Sequence, residues 1–260
     1  MILDEIVADK RLAHAARQPT ATEQLWERVR ALAPVRSLAA ALRDPQSRAP
    51  RVIAEFKRRS PSAGVIRGGA DAALIAPAYV RAGAAALSIL TDERFFDGRM
   101  EDLQRARAAV LTPVMRKDFL LDERDLLEAR LGGADAALLI VRILAGAQLA
   151  ALIAVAAEAG LEVLVETHTA EEIDVALASG AQIIGVNHRD LDTLTIDLSL
   201  SARARTQVGP SVILVAESGI QTRTDVARMR EHGADAILVG ESLMRAPDPG
   251  AALEELLRCS

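Results

Sequence analysis

Lysine is rare in this 260-residue sequence, and its few positions are candidates for proton chemistry. Only three of the 31 cationic residues are lysines, namely Lys10, Lys57 and Lys117. An ammonium group is compact and its pKa moves with its surroundings, whereas a guanidinium remains protonated in proteins. These lysines therefore either serve a site that needs such a group or survive by chance from a coding bias against lysine.

Carboxylates accompany the lysines at the ends of apolar runs. Glu55 and Lys57 are two residues apart, which places both side chains on one face of a strand. Glu166 and Glu217 each end an apolar run that is typical of a buried strand. A carboxylate at such a position can act as a general acid or base, which we favour for Glu166. A purely structural ion pair is the alternative for Glu55 and Lys57.

The remaining polar candidates are one asparagine and two histidines. Asn187, the sole asparagine, ends another apolar run, where it can hold a ligand or cap a turn. His168 and His188 fall in predicted loops, and we interpret them as structural or solvated. The four histidines of the sequence lack the spacing of metal ligands, so we predict no metal site.

Short apolar runs recur from residue 51 onwards and predict β-strands. They alternate with amphipathic segments typical of helices, among them 70–82, 121–131, 148–159 and 170–179. A regular alternation of this kind predicts repeated strand–helix units. The eight predicted strands cover residues 51–56, 84–90, 113–116, 136–141, 161–166, 182–186, 212–217 and 236–240.

Eight strand–helix units predict an α/β fold, a (β/α)8 TIM barrel over residues 51–260. Residues 1–50 show helical spacing only and are predicted to be an N-terminal helical extension of the same domain. An open doubly wound sheet is the alternative, but it usually needs a glycine-rich first turn, and none follows Phe56. Five glycines are expected to end helices in the left-handed conformation. They are Gly83, Gly133, Gly160, Gly180 and Gly233.

A closed barrel brings the carboxyl ends of its strands together at one rim, where active sites of this fold lie. Lys57, Lys117, Glu166 and Asn187 all fall at such ends. The last two strands are followed instead by small residues, whose backbone N–H groups can bind an anion at a helix start. Two ordinary turns are the alternative there. The residues concerned are Ser218, Gly219, Gly240 and Glu241.

Composition limits the class of protein further. Aromatic residues are only 2% of the sequence, so aliphatic side chains must fill the core, and the net charge of −5 argues against a nucleic-acid or anionic-membrane partner. The single cysteine, Cys259, excludes an intramolecular disulfide and fits a reducing compartment. Without an 18-residue apolar stretch, we predict a cytoplasmic protein with no membrane partner, a monomer or weak homo-oligomer.

Eight segments of the sequence together resemble the indole-3-glycerol phosphate synthase family. They stand in the family's order and span nearly the whole chain. The resemblance implies conversion of 1-(2-carboxyphenylamino)-1-deoxyribulose 5-phosphate into indole-3-glycerol phosphate, with loss of CO₂ and water and without a cofactor. It thus implies a phosphorylated small molecule as partner. The segments are residues 2–11, 55–62, 90–98, 116–119, 164–166, 184–191, 216–220 and 239–244.

The resemblance also implies roles for the proton-transferring residues. It makes Lys117 the general acid of ring closure and Glu166 the acid/base partner of dehydration. Lys57 would bind the substrate carboxylate and can donate a second proton, while Glu55 and Glu217 orient the lysines and the substrate hydroxyls. From the residues themselves, we expect two neighbouring ammonium groups to lower one another's pKa towards neutrality.

The remaining implied roles concern substrate binding. Asn187 and Arg189 would hold the substrate and the site, and Ser60 would lie on a mobile first loop. The N-terminal extension would cover the mouth of the barrel as a lid. Phe96 and Phe119 would flank the anthranilate ring, and Ser218, Gly219, Gly240 and Glu241 would hold the phosphate. The sequence departs from the family pattern at Arg99 and Thr169, outside the proton-transferring set.

Other enzymes on this fold and an inactive barrel are the alternatives. Phosphoribosylanthranilate isomerase relies on a strand-end cysteine, and Cys259 is not at one. A glycosidase would pair two carboxylates with aromatic stacking surfaces, yet the sequence has one tryptophan and one tyrosine. A Schiff-base aldolase would use Lys57 or Lys117 as a nucleophile. An inactive barrel that serves as a binding partner would not need Lys57, Lys117 and Glu166 together.

Overall fold

The computed structural model of the protein describes residues 2–17, 21–43, 49–190 and 193–258. Eight parallel strands form one closed barrel, in which sequence neighbours are also neighbours in space and the last strand pairs with the first. Strand closure confirms the predicted TIM barrel and excludes the open sheet. Cys259 lies outside the described residues, so the prediction made from it stays a prediction.

The barrel strands lie where the sequence predicted them, with ends that differ by at most two residues. Ile53 in the first strand is in register with Ala86 on one side and Leu238 on the other, which closes the ring. The strands are β1 Arg51–Phe56, β2 Ala86–Leu90, β3 Val114–Lys117, β4 Ala136–Ile140, β5 Glu162–Thr167, β6 Ile183–Asn187, β7 Ile213–Glu217 and β8 Ala236–Val239.

Helices precede the barrel and follow its strands. The extension holds α1 Ile2–Ala15, α2 Thr22–Arg30 and α3 Leu38–Leu42. After β1 the chain first forms a small antiparallel hairpin of Arg59–Ser60 and Gly64–Val65. The later helices are Ala72–Arg81, Glu93–Phe96, Met100–Ala109, Glu123–Leu131, the 3₁₀ turn Val141–Ile143, Gly146–Glu158, Ala170–Ala178, Leu200–Val208, Arg223–Glu231, Glu241–Arg245 and Pro249–Leu257. No helix within the described ranges is both long and apolar enough to span a bilayer.

The predicted glycine stops are confirmed. Each of the five lies two residues beyond the end of a helix and has a φ between 65° and 100°. A residue with a Cβ is strained in this conformation, so glycine ends each helix at little cost and lets the chain turn into the next strand.

Aliphatic side chains fill the barrel, as the shortage of aromatic residues requires. Ile53, Met115 and Leu164 are fully buried inside the ring of strands. Leu38 and Leu42 of α3 join the same cluster, next to residues at the amino ends of the strands. Helix α3 therefore closes the amino end of the barrel and leaves its carboxyl end for the site.

Candidate active site

A cavity of about 460 Å³ opens at the carboxyl ends of the barrel strands. All fourteen residues that the sequence proposed for catalysis or substrate binding line it, so the barrel brings together every one of them. Their individual roles remain proposals. They are Glu55, Lys57, Ser60, Phe96, Lys117, Phe119, Glu166, Asn187, Arg189, Glu217, Ser218, Gly219, Gly240 and Glu241.

Lys117 is the centre of the charged part of the cavity. It is the last residue of β3, and its Nζ lies 3.0 Å from Glu217 Oε2, 3.4 Å from Glu166 Oε2 and 3.8 Å from Glu55 Oε2. Those carboxylates end, or nearly end, three other strands and are themselves buried. One partly buried ammonium group is thus shared by three buried carboxylates.

The expected mutual lowering of the lysine pKa values is wrong for Lys117. Burial alone would lower the pKa of Lys117, but Glu217, Glu166 and Glu55 raise it well above its ordinary value. Glu55 also lies between the two lysines, with its Oε1 2.6 Å from Lys57 Nζ. Burial opposes ionisation of Glu55, yet Lys57 and Lys117 hold its pKa below the ordinary value. Carboxylates, not a second ammonium, dominate the field at Lys117.

Glu217 is the carboxylate whose ionisation is least favoured. Burial, with the nearby charges of Glu166 and Glu55, raises the pKa of Glu217 to about 7 against the opposing effect of Lys117. Its Oε1 is buried and has no hydrogen-bond partner among the described residues. A Cβ at Gly185 would collide with this carboxylate, so glycine in β6 makes the room that Glu217 occupies.

Glu166 is held by neighbours on both of its oxygens. Asn187 Nδ2 donates to Glu166 Oε1 at 3.2 Å, and His168 Nε2 lies 3.5 Å from the same oxygen. Burial opposes ionisation of Glu166, but Lys117 and then His168 lower its pKa below the ordinary value. Asn187 also accepts a hydrogen bond from Arg189 N at 3.1 Å, which agrees with the turn-capping interpretation, whereas the ligand-holding interpretation stays a prediction.

His168 is not solvated, so that part of the sequence interpretation is wrong, whereas a structural role for it stays a prediction. His168 is buried, and its ring lies between Glu166 and Glu172, whose Oε2 is 3.4 Å from Nδ1. Burial disfavours the imidazolium, but the two carboxylates raise the pKa of His168 above its ordinary value. The spacing in the sequence could have predicted that His168 lies beside Glu166, because side chains two residues apart point to the same side of an extended chain.

Another part of the rim is formed by the small residues that follow the last two strands. Ser218 and Gly219 follow β7 with φ values of 67° and 78°, and Gly240 follows β8. A Cβ at Gly240 would collide with the Glu55 carboxylate, so this glycine permits the two parts of the site to approach. Because the proposal below assigns the substrate phosphate to Ser218, Gly219, Gly240 and Glu241, we call these four residues the phosphate cradle.

An apolar wall completes the cavity. The rings of Phe96 and Phe119 lie 6.0 Å apart between centroids and are tilted by 39°, a favourable arrangement for an aromatic pair. Ile2, Leu3 and Ile6 of helix α1 line the same cavity, in agreement with a helix that covers its mouth. Ser60 is buried in the small hairpin after β1, where its Oγ accepts from Ala63 N at 3.2 Å.

Lys10 has a different role from that of the other two lysines. Its Nζ lies 2.7 Å from Asp118 Oδ1 and 3.0 Å from Asp92 Oδ2, and it does not line the cavity. Burial opposes ionisation of Asp118, but Arg116 and Lys10 lower its pKa to about 2. Lys10 therefore fastens α1 beside Lys117. The scarcity of lysine singled out Lys10 in the sequence, but the sequence alone did not predict which carboxylates it would contact.

The family model for indole-3-glycerol phosphate synthase matches residues 3–256. A relative of that name from Streptomyces coelicolor, "Indole-3-glycerol phosphate synthase 2", is 48% identical over 98% of this chain and 98% of its own. Those from Bordetella pertussis and Syntrophobacter fumaroxidans are 45% and 43% identical, each over 98% of this chain and over 98% and 96% of their own.

The chain belongs to the indole-3-glycerol phosphate synthase family.

More distant structures share only the fold with this family member. A thiamine phosphate pyrophosphorylase from Pyrococcus furiosus superposes with a TM-score of 0.62 at 19% identity, over 79% of this chain and 93% of its own. A mandelate oxidase superposes with a TM-score of 0.60 at 19% identity, over 80% and 70%.

The two departures from the synthase family pattern lie outside the cavity. Arg99 is exposed at the start of Met100–Ala109 and gives that helix no side-chain cap. Thr169 caps Ala170–Ala178 by accepting a hydrogen bond from Glu172 N at 3.2 Å. Neither residue lines the cavity around Lys117.

Proposed function

We propose that this cavity converts 1-(2-carboxyphenylamino)-1-deoxyribulose 5-phosphate into indole-3-glycerol phosphate by general acid/base catalysis. The observation that carries the proposal is the ammonium of Lys117 among three buried carboxylates, in a cavity that also has an aromatic wall and a phosphate cradle. Each part suits one part of the substrate. Family membership supplies the reaction, and the geometry supports an assignment of residues to its steps.

Ring closure needs a proton donor at the substrate carbonyl. The ring carbon that bears the carboxylate bonds to the carbonyl carbon, whose oxygen becomes a hydroxyl as it receives a proton. Lys117 is the donor in this proposal, because it is protonated and lines the cavity. The developing oxyanion is a much stronger base than the ground-state carbonyl. A positioned ammonium therefore stabilises the transition state more than the bound substrate and lowers the barrier to ring closure.

Decarboxylation follows from release of the substrate carboxylate. Lys57 binds that group through its ammonium, which Glu55 holds at 2.6 Å. Loss of CO₂ leaves its bonding electrons to restore the aromatic ring. Because the buried carboxylate of Glu55 holds the Lys57 ammonium in place, Lys57 positions the substrate carboxylate and stays where it is when CO₂ departs.

Dehydration needs a base and an acid at the same time. Glu166 removes a proton from the ring intermediate, and a lysine ammonium returns one to the departing hydroxyl, which leaves as water. The low pKa of Glu166 keeps it ionised and ready to accept. Asn187 fixes its other oxygen, so the direction of proton transfer is set before the substrate binds.

A direct assay tests the proposed function. Purified protein mixed with the carboxyphenylamino-deoxyribulose phosphate should produce the absorbance of an indole together with one equivalent of CO₂, in chelator-treated buffer and without added cofactor. Consumption of substrate without indole, or no consumption at all, would refute the proposal. The dephosphorylated substrate is the matched control and should turn over poorly, since it lacks the group that the cradle binds.

A Schiff-base aldolase fits the site less well. Its lysine must be a neutral amine to attack a carbonyl, and the carboxylates around Lys117 favour the ammonium instead. The same field that suits Lys117 to proton donation disfavours it as a nucleophile.

Ionisation of Glu217 should appear in the pH dependence of kcat/KM. Its pKa of about 7 means that acidification below 7 protonates it and weakens its hold on Lys117. We therefore expect kcat/KM to rise about tenfold per pH unit below 7 and to level off above it. Glu217→Gln keeps the shape of the side chain but cannot titrate. It should lower kcat/KM and remove the dependence of kcat/KM on the ionisation near pH 7.

The substrate phosphate is the internal control for that profile. Its own second ionisation, near pH ~6, should persist in the Glu217→Gln profile because it belongs to the free substrate. If the variant keeps the full wild-type profile, the ionisation near 7 belongs to another group.

A further inference from the structure

His188 is a buried histidine whose two ring nitrogens both have partners. It is 1% exposed, immediately after β6, between Asn187 and Arg189 of the proposed site. Its Nδ1 lies 3.0 Å from the carbonyl oxygen of Ser218, and its Nε2 lies 2.7 Å from Ser201 Oγ in Leu200–Val208. The mechanism above does not use this side chain, and the hydrogen bonds on both nitrogens compensate the burial of its polar ring.

The hydrogen bonds of His188 define its tautomer. A carbonyl oxygen can only accept, so Nδ1 carries the proton and donates it to Ser218. Burial lowers the pKa of His188 below its ordinary value, which leaves Nε2 free to accept from the Ser201 hydroxyl. His188 also donates its backbone N–H to the Glu217 carbonyl at 2.9 Å. The backbone and the ring of His188 thus donate to two successive carbonyls, that of Glu217 at the end of β7 and that of Ser218 directly after it.

The peptide bond between Ser218 and Gly219, whose carbonyl accepts the His188 hydrogen bond, belongs to the phosphate cradle. Ser218 has a φ of 67°, which is unfavourable for a residue with a Cβ, and Gly219 follows with a φ of 78°. Both line the cavity. The Ser218–Gly219 peptide is planar and trans, so its carbonyl and its N–H point in opposite directions. A donor that fixes the Ser218 carbonyl therefore also fixes the direction of the Gly219 N–H.

We propose that His188 is a positioning residue that prevents the Ser218–Gly219 peptide from flipping, and so keeps the Gly219 N–H directed at the substrate phosphate. The inference rests on the proposed function, because it assumes that the cradle binds phosphate. A flipped peptide would present a carbonyl oxygen to an anion and repel it. Glycine at 219 makes such a flip sterically easy, so an external restraint is needed.

Variants of His188 distinguish this role from simple core packing. His188→Ala should raise both KM for the substrate and the inhibition constant for inorganic phosphate about tenfold, with kcat within about threefold of wild type. His188→Asn places an amide donor where Nδ1 lies and should bring both constants back to within about threefold of wild type. His188→Gln places its polar end near Ser201 instead and should resemble His188→Ala.

The asparagine and glutamine variants form the decisive pair. Both replace the neutral imidazole by a neutral amide, and asparagine is the smaller of the two. A packing role therefore predicts an effect of His188→Asn at least as large as that of His188→Gln, and that order would overturn the inference. Unchanged phosphate inhibition in both would overturn it as well. The comparison holds even if His188→Ala does not fold, and thermal unfolding of each variant monitors that. Absence of turnover in the unsubstituted protein would instead refute the proposed function and this inference with it.

Discussion

Lys117→Met is expected to reduce kcat by about three orders of magnitude, the scale of a lost general acid. Methionine keeps the approximate length of the side chain but cannot donate a proton. Substrate binding should change far less, because the cradle and the aromatic wall remain. Steady-state kinetics at saturating substrate, followed by indole absorbance, measure the loss. A variant with wild-type kcat would remove Lys117 from the proposed role.

The same substitution at Lys10 is the matched control. Lys10→Met also removes a partly buried ammonium that is shared by buried carboxylates, here two of them, but from outside the cavity. We expect it to loosen α1 and lower the thermal midpoint while kcat stays within about tenfold of wild type. Comparable losses of kcat in the two variants would mean that Lys117 acts through stability. Far-ultraviolet circular dichroism of both variants monitors the fold.

Glu166→Gln is expected to separate the later steps of the reaction. Glutamine keeps the size and a hydrogen-bonding oxygen but cannot accept a proton as a carboxylate does. Ring closure and decarboxylation depend on Lys117 and Lys57 in our proposal, so CO₂ should still be released in a single turnover. Indole absorbance should lag behind it by about two to three orders of magnitude in rate. Overall turnover should be lost to the same extent.

Glu162→Gln in the same strand is the control for that experiment. Glu162 lies at the amino end of β5, where its carboxylate accepts hydrogen bonds from Ser37 Oγ and Ala39 N, far from the cavity lining. This variant should lose stability but release CO₂ and form indole together. If Glu166→Gln releases CO₂ and forms indole simultaneously, whether fast or slowly, the result would contradict a role for Glu166 in dehydration.

Local patterns in the sequence sufficed for the framework of the protein. Strand runs, helix spacing and the glycines that end helices are encoded within short segments, because strand and helix periods and the left-handed turn involve neighbouring residues only. From them follow the closed barrel and the prediction that Lys57, Lys117, Glu166 and Asn187 meet at one rim. The eight family-like segments pointed to the reaction, and the family comparison bears that out.

The electrostatics of the site depended on tertiary structure. Four strands must close around one axis before Lys117 can meet Glu55, Glu166 and Glu217, and burial then decides which of these groups holds its proton. Spacing along the chain contains neither the distances nor the loss of water, so the sequence suggested a lowered lysine pKa where the fold produces a raised one. For the same reason, only the fold could pair Lys10 with Asp118 and aim His188 at the Ser218 carbonyl.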